Sequence, residues 1–316
     1  MQTVSAALIR RAAEGLYRAP VVPRAFAERI SVEMLDWATS HGMLETPRER
    51  LRASAIRVGD LAALTFVRHE EAVVRLGADL ILWLYLFDDA IGEAGPDVDF
   101  AEHRAQLASF EQLLRSDDPG GPDPFHRALA DIRDRATLLR AGPDWHRRFA
   151  DDMADYFAGC ADEAIYRRAH TTPNLEVYRT LRGQTVGTSA VFAIAELGEG
   201  PAPSASEMNR RDVAEARRIA AQLTAWVNDL YSYPKEVAQR DPMNLVAAIS
   251  RARGLAPVDA VHVAVEAYNH DLDRLRACSA AIHTSSPSAG LQQYMGDLIA
   301  WVHGNRAWTH QCGRYQ

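Results

Sequence analysis

The stretch Leu80-Ile81-Leu82-Trp83-Leu84-Tyr85-Leu86-Phe87-Asp88-Asp89-Ala90-Ile91-Gly92-Glu93 decides how the chain is read. Eight apolar or aromatic residues run without interruption from Leu80 to Phe87 and end abruptly in acid. A segment this short does not span a bilayer, which needs about 20 residues of helix. It therefore reads as a core helix of a large soluble domain, with Asp88 and Asp89 at the mouth of that core. Two adjacent carboxylates beside apolar surface are costly in desolvation and mutual repulsion unless a cation compensates them. A hard divalent ion bound through oxygen fits best, and magnesium typically takes one or two carboxylates together with phosphate oxygens of a substrate. The competing reading, a helix that simply ends in solvent, is opposed by the helix dipole, which disfavours acids at a C-terminus.

The bulk properties are those of an ordinary globular protein: 316 residues, 47% hydrophobic and 24% charged, enough to bury a substantial core. With a formal net charge of −7 and no dense basic tract, a nucleic-acid surface is not expected. Cys160, Cys278 and Cys312 lie far apart, so neither a disulfide framework nor a structural zinc site is indicated. The first residues carry arginines and lack the long apolar core of a secretory signal, and no spanning segment is visible. A cytoplasmic protein is expected, with residues 1–23 as a flexible N-terminal segment.

Helical periodicity dominates, and long alternating runs of β-branched residues are absent. Proline- and glycine-rich breakers such as 116–124, 198–206 and Asp241-Pro242 divide the chain. Helices are expected near 24–41, 48–66, 69–91, 99–115, 124–140, 144–169, 174–197, 207–239, 256–281 and 288–309. No composition shift marks a boundary, so residues 1–316 read as one all-α domain.

A second acidic cluster, Asp151-Asp152-Met153-Ala154-Asp155, has the same appearance as the first. At about 100° per residue the apolar stripe of its helix contains Trp145, Phe149, Met153, Tyr156, Phe157 and Cys160. Asp151 and Asp155 fall off that stripe and Asp152 sits at its edge, so a solvated surface is expected there.

The segment Asn228-Asp229-Leu230-Tyr231-Ser232-Tyr233-Pro234-Lys235-Glu236 is more specific. Asn228, Ser232 and Glu236 are spaced i, i+4 and i+8, so an amide oxygen, a hydroxyl and a carboxylate share one helix face. The mostly apolar run Leu223 to Val227 precedes them, and Lys235 follows near the same edge. A polar helix flank with a capping role is the plainer alternative. Pro234 is expected to bend the helix.

Together these segments resemble the class I terpene cyclases of bacteria, with their aspartate-rich motif DDxx(x)D/E and their second motif NDxxSxxKE. Asp88-Asp89…Glu93 and Asn228-Asp229…Ser232…Lys235-Glu236 match them in order, 140 positions apart (228 − 88). Arg182, Thr185 and Val186, with Gly187 following, look like the family's diphosphate-sensor arginine, linker residue and effector residue at a helix break. Arg314-Tyr315, preceded by Trp308, looks like the pair that closes over the diphosphate. The likeness runs from about Trp37 to the C-terminus. It departs from the pattern in ending the first motif with Glu93 instead of aspartate.

The resemblance implies a single-domain helical bundle around a central apolar cavity, a linear isoprenyl diphosphate substrate and three magnesium ions. In family terms Asp88, Asn228, Ser232 and Glu236 are the metal ligands, while Asp89 and Glu93 fix orientation by hydrogen bonds. Arg182, Lys235, Arg314 and Tyr315 would hold the diphosphate, and Phe87, Phe192 and Trp308 would line the cavity. Farnesyl diphosphate is expected slightly ahead of geranylgeranyl diphosphate, giving a cyclic sesquiterpene or diterpene from a monomer or homodimer. A chain-elongating prenyltransferase should carry a second DDxxD late in the chain, where this sequence has the Asn228 motif. A non-catalytic isoprenoid-binding protein would not need the ligands it keeps.

Overall fold

A computed structural model describes residues 22–92, 99–239, 241–285 and 287–312, so Glu93, Arg314, Tyr315 and residues 1–21 lie outside the description. All secondary structure among the described residues is helical. The helices are α1 (Arg24–Ser40), α2 (Pro47–Ile56), α3 (Val58–Thr65), α4 (Glu71–Phe87), α5 (Phe100–Leu114), α6 (Pro124–Leu138) and α7 (Pro143–Arg168). They continue with α8 (Leu175–Thr185), α9 (Thr188–Ile194), α10 (Ala205–Met208), α11 (Arg211–Gln239), α12 (Leu245–Arg253), α13 (Pro257–Thr284) and α14 (Ala289–Thr309). A π-helical turn, Asp88–Gly92, extends α4.

Local chemistry sets many of the starts. Thr46 and Glu49 close a reciprocal capping box ahead of Pro47 at the first turn of α2. The side chains of Asp99, Asp123, Asn174, Asn244 and Ser288 accept from backbone N–H groups at the starts of α5, α6, α8, α12 and α14. Packing does the rest. One continuous core joins residues from Ile30 on α1 to Cys312 beyond α14, with Trp83, Trp226, Trp308, Phe87 and Phe110 almost wholly buried. Each such side chain contributes about 1.5–3 kcal/mol through the apolar surface it removes from water. Close approach of α14 to α3 requires Gly304, since a Cβ there would lie 2.5 Å from the Leu64 carbonyl oxygen. No helix among the described residues is long and apolar enough to cross a membrane.

Four expected helices differ. The 48–66 span breaks at Arg57, whose backbone is left-handed (φ 61°) and whose guanidinium pairs with Asp60 at 3.0 Å. The 69–91 span changes at Asp88 from α to π geometry. The 174–197 span breaks at left-handed Gly187 (φ 66°), where the family likeness puts a break. The 207–239 span is a short α10 followed by α11, which runs on through Pro234. One helix was not expected: α12 follows the Asp241-Pro242 breaker as an apolar turn pair, Leu245 to Ile249 being mostly buried, and stops at left-handed Gly254.

The Asp151 cluster also needs correcting. Asp151 is exposed and pairs with Arg115 at 2.9 Å, but the Asp152 side chain is 14% exposed and meets Arg217 of α11 at 2.6 Å. Burial pushes its carboxyl above the usual range, with Arg217 acting in the opposite direction. It is an inter-helix tie, not a solvated surface group.

Candidate active site

Seven helices, α3, α4, α7, α8, α9, α11 and α14, contribute to one cleft of about 1090 Å³, its open mouth included. Helix α4 contributes Ile81, Leu84, Tyr85 and, in the turn that follows, Asp88, spaced i, i+3, i+4 and i+7. From α11 come Thr224, Asn228, Ser232, Lys235 and Glu236, and from α14 Trp301, Asn305, Trp308 and Thr309. Arg182, Thr185 and Val186 enter from the end of α8, while Tyr156, Glu163 and Arg167 enter from α7. The sequence motifs thus meet at one mouth. Asp89 is exposed and does not line the cleft.

Asp88 sits where α-helix gives way to π-helix, a geometry that recurs at functional positions. Its Oδ1 lies 3.5 Å from the Tyr156 hydroxyl, and a Cβ on Gly92 would approach the same oxygen to 3.1 Å. The loss of the side chain at Gly92 therefore keeps space beside the carboxylate. Gly187 serves the facing wall, because its left-handed turn brings it against Leu84, which a Cβ would meet at 3.1 Å.

On α11 the motif is held from behind. Fully buried Asp229 accepts from Arg182 Nε at 2.9 Å through Oδ1, while its Oδ2 accepts from the Leu245 backbone N–H at 3.1 Å and from the Tyr178 hydroxyl. Arg182 Nη2 donates to Asn228 Oδ1 at 2.8 Å. Asn244, the N-cap of α12, donates to Glu236 Oε2 at 2.6 Å and to the Asp229 carbonyl at 2.8 Å. Ser232 Oγ donates to the Asn228 carbonyl at 2.9 Å. Thr185 Oγ1 donates to Glu163 at 2.5 Å, and Glu163 pairs with Arg167 at 3.0 Å, which links the α8 end to α7.

The electrostatics follow from burial. Desolvation, then the charge of Asp229, pushes the Glu236 carboxyl up to about 7. Desolvation works against the Arg182 charge, but Asp229 and Glu163 outweigh it and hold the guanidinium well above its usual value. Arg182 is therefore a permanent cation beside acids that are short of solvent. Such a donor set of Asp88, Asn228 Oδ1, Ser232 Oγ and Glu236 is all oxygen, which fits a hard divalent ion. Among the described residues no three His, Cys, Asp or Glu side chains form a cage by themselves, so ligand oxygens would have to complete the shell.

Two expected wall residues are not in the wall. Phe87 lies about 100° around α4 from Asp88, and it stacks on Trp83 at 4.5 Å among Phe110, Phe125 and Phe157. Phe192 packs behind the cleft against Trp301, ring centroids 5.8 Å apart, while its neighbours Thr188 and Val191 line the space. Of the three expected aromatics only Trp308 faces the cleft, tied by its Nε1 to the Arg57 carbonyl at 2.9 Å. The aromatic surface instead includes Tyr85, Tyr156 and Trp301. Phe87→Ala is accordingly expected to cost about 3–5 kcal/mol of stability, read from denaturant unfolding. Unchanged stability would place Phe87 outside the packed core.

Sequence reading missed Asn244, Tyr178, Glu163 and Arg167. Asn244 carries a local signal, an N-cap residue before an apolar run. Tyr178 and Glu163 carry none, since their roles depend on α7, α8 and α11 converging.

Comparison with known proteins bears on this cleft. The family described as terpene synthase family 2, C-terminal metal binding, matches residues 79–274, a span containing Asp88, Arg182 and the Asn228 motif. The chain is 29% identical over 297 residues to a (+)-T-muurolol synthase of Roseiflexus castenholzii that cyclises (2E,6E)-farnesyl diphosphate, covering 92% of this chain and 89% of that one. It is 32% identical over 222 residues to a (12E)-labda-8(17),12,14-triene synthase of Streptomyces anulatus, covering 70% and 68%. In fold it is similar to 2-methylisoborneol synthase of Streptomyces coelicolor, solved with Mg2+ and 2-fluoroneryl diphosphate, with a TM-score of 0.84 over 97% of this chain and 98% of that one, at 23% identity.

Proposed function

The chain belongs to the terpene synthase family, and on that premise we propose that it ionises farnesyl diphosphate with magnesium and closes the resulting cation into a cyclic sesquiterpene. It is a lyase acting on a carbon–oxygen bond to diphosphate, a terpene cyclase. One observation supports the assignment above others: Asp88, from the turn after α4, lines the same cleft as Asn228, Ser232 and Glu236 of α11 and Arg182 of α8. Farnesyl over geranylgeranyl diphosphate rests on relatives such as the muurolol synthase, which align over nearly the whole chain.

Asp88, Asn228, Ser232 and Glu236 would hold the metal, three ions in our reading, with Asp89 and Glu93 orienting them. Bound magnesium supplies Lewis acidity, taking up the negative charge that grows on the leaving diphosphate. Arg182 and Lys235, joined by Arg314 and Tyr315, donate to the diphosphate oxygens and stabilise the same charge. The stripe of Ile81, Leu84, Val191 and Trp301 gives the hydrocarbon chain an apolar surface on which to fold. Trp301, Trp308 and Tyr85 offer π faces to a cation, each contact worth about 0.5–2 kcal/mol. No side chain need act as the nucleophile.

Asn244 gives a sharp test of the metal reading. Asn244→Ala removes an N-cap, costing about 1 kcal/mol, and also releases Glu236. The magnesium concentration needed for half-maximal diphosphate release should rise about 10–100-fold, as for loss of a group that orients a ligand. Asn174→Ala removes a comparable cap away from the cleft and should leave that requirement unchanged. The function itself is tested by diphosphate release from farnesyl diphosphate, which a chelator should stop and added magnesium restore. Release that continues in chelator would contradict it.

A further inference from the structure

We infer that Arg182 is the resting occupant of the Asn228 metal position, and that it moves between Asn228 and the substrate diphosphate while pivoting on Asp229. The inference rests on the metal reading above and goes beyond it. An amide oxygen offered to a metal is here already engaged, because Arg182 Nη2 donates to Asn228 Oδ1 at 2.8 Å. The guanidinium brings a full positive charge to that oxygen, and a dication approaching it meets that charge at short range in a partly desolvated cleft. Arginine and metal therefore compete for Asn228.

The rest of the guanidinium is anchored differently. Nε pairs with Asp229 Oδ1 at 2.9 Å, whereas Nη1 reaches Thr185 Oγ1 only at 3.5 Å. Asp229 cannot follow a moving arginine, since its second oxygen is held by the Tyr178 hydroxyl and by the Leu245 backbone N–H at 3.1 Å. Asp229 and Tyr178 are thus positioning residues for the arginine. Release of Nη2 alone turns the outer edge of the guanidinium toward the cleft without breaking the Nε pair. A diphosphate that captures this edge frees Asn228 for the metal, and a metal on Asn228 frees the edge for diphosphate. Each ligand then strengthens the other by the same factor, as linkage requires.

The test is Mn2+ binding to the intact protein without any diphosphate, followed by electron paramagnetic resonance, with folding checked by circular dichroism. The binding class at issue is the one lost in Asn228→Ala. Arg182→Ala should tighten that class about tenfold, the scale of one charge-assisted hydrogen bond. The double variant Arg182→Ala/Asn228→Ala should lose the gain, and Lys235→Ala, which removes a nearby charge but no contact with Asn228, should change binding less than about twofold. Structural damage weakens a metal site, so a tighter one is specific to the exchange. Unchanged or weaker binding in Arg182→Ala overturns the inference. So does tightening that survives in the double variant, which would send the ion to Asp229, or equal tightening in Lys235→Ala. If Arg182→Ala does not fold, Arg182→Lys keeps a charge for Asp229 but lacks the two-pronged reach to Asn228, and should also tighten binding; binding no tighter than wild type overturns the inference. Absence of an Asn228-dependent class from every variant would overturn the metal assignment itself.

Discussion

Asp88→Ala or Asn228→Ala should lower hydrocarbon formation by at least about 10³-fold while leaving the helical circular-dichroism spectrum unchanged. The two residues line the cleft from different elements, one on the π turn after α4 and the other in the middle of α11. Removing either leaves a metal shell that the remaining side chains cannot rebuild, because the described cleft has no spare cluster of acids to replace it. The folding core is not touched. Both side chains are only half-buried, and the aromatic cluster of Trp83, Phe87 and Phe110 packs on another face of α4. Turnover near the wild-type level in either variant would show that the metal is bound elsewhere.

Arg182→Ala is expected to lower turnover about 10²–10³-fold, the usual loss when one fixed donor to developing negative charge is removed. Its effect has two sources on one side chain. The variant loses a cation facing the leaving group, and it leaves the fully buried Asp229 carboxylate without its 2.9 Å partner. Removing one member of such a pair is destabilising because the remaining charge is buried and unpaired. A lowered unfolding midpoint should therefore accompany the kinetic loss, and Arg182→Lys should recover stability more fully than turnover, since an ammonium lacks the planar fork. Retained turnover in Arg182→Ala would place the diphosphate contact on another residue.

How much of this was legible in the sequence depends on the range of each interaction. The face of α11 that carries the proposed metal ligands was readable because i, i+4 and i+8 spacing is a property of one helix. The buried run Leu80 to Phe87 announced a core helix for the same reason. Which face of that helix met the cleft was not readable, because Leu84 and Tyr85 or Trp83 and Phe87 are equally good apolar stripes until the neighbours are placed. That is why Phe87 was expected in a wall now lined by Tyr85. Asp152 misled similarly: its partner Arg217 is 65 residues away in sequence, and only packing of α7 on α11 brings the charges together. Helix α12 was hidden by a real breaker, Asp241-Pro242, followed at once by an N-cap. Asn244 at that cap ties a turn to Glu236, and the tie exists only because α11 and α12 fold back on each other.

The most direct measurement is to incubate the purified protein with magnesium and, separately, geranyl, farnesyl and geranylgeranyl diphosphate, and to analyse the organic extracts by gas chromatography with mass detection. A cyclic hydrocarbon or alcohol is expected from farnesyl diphosphate. Longer linear diphosphates formed in the presence of isopentenyl diphosphate, or no cyclic product from any of the three substrates with a folded protein, would contradict that expectation.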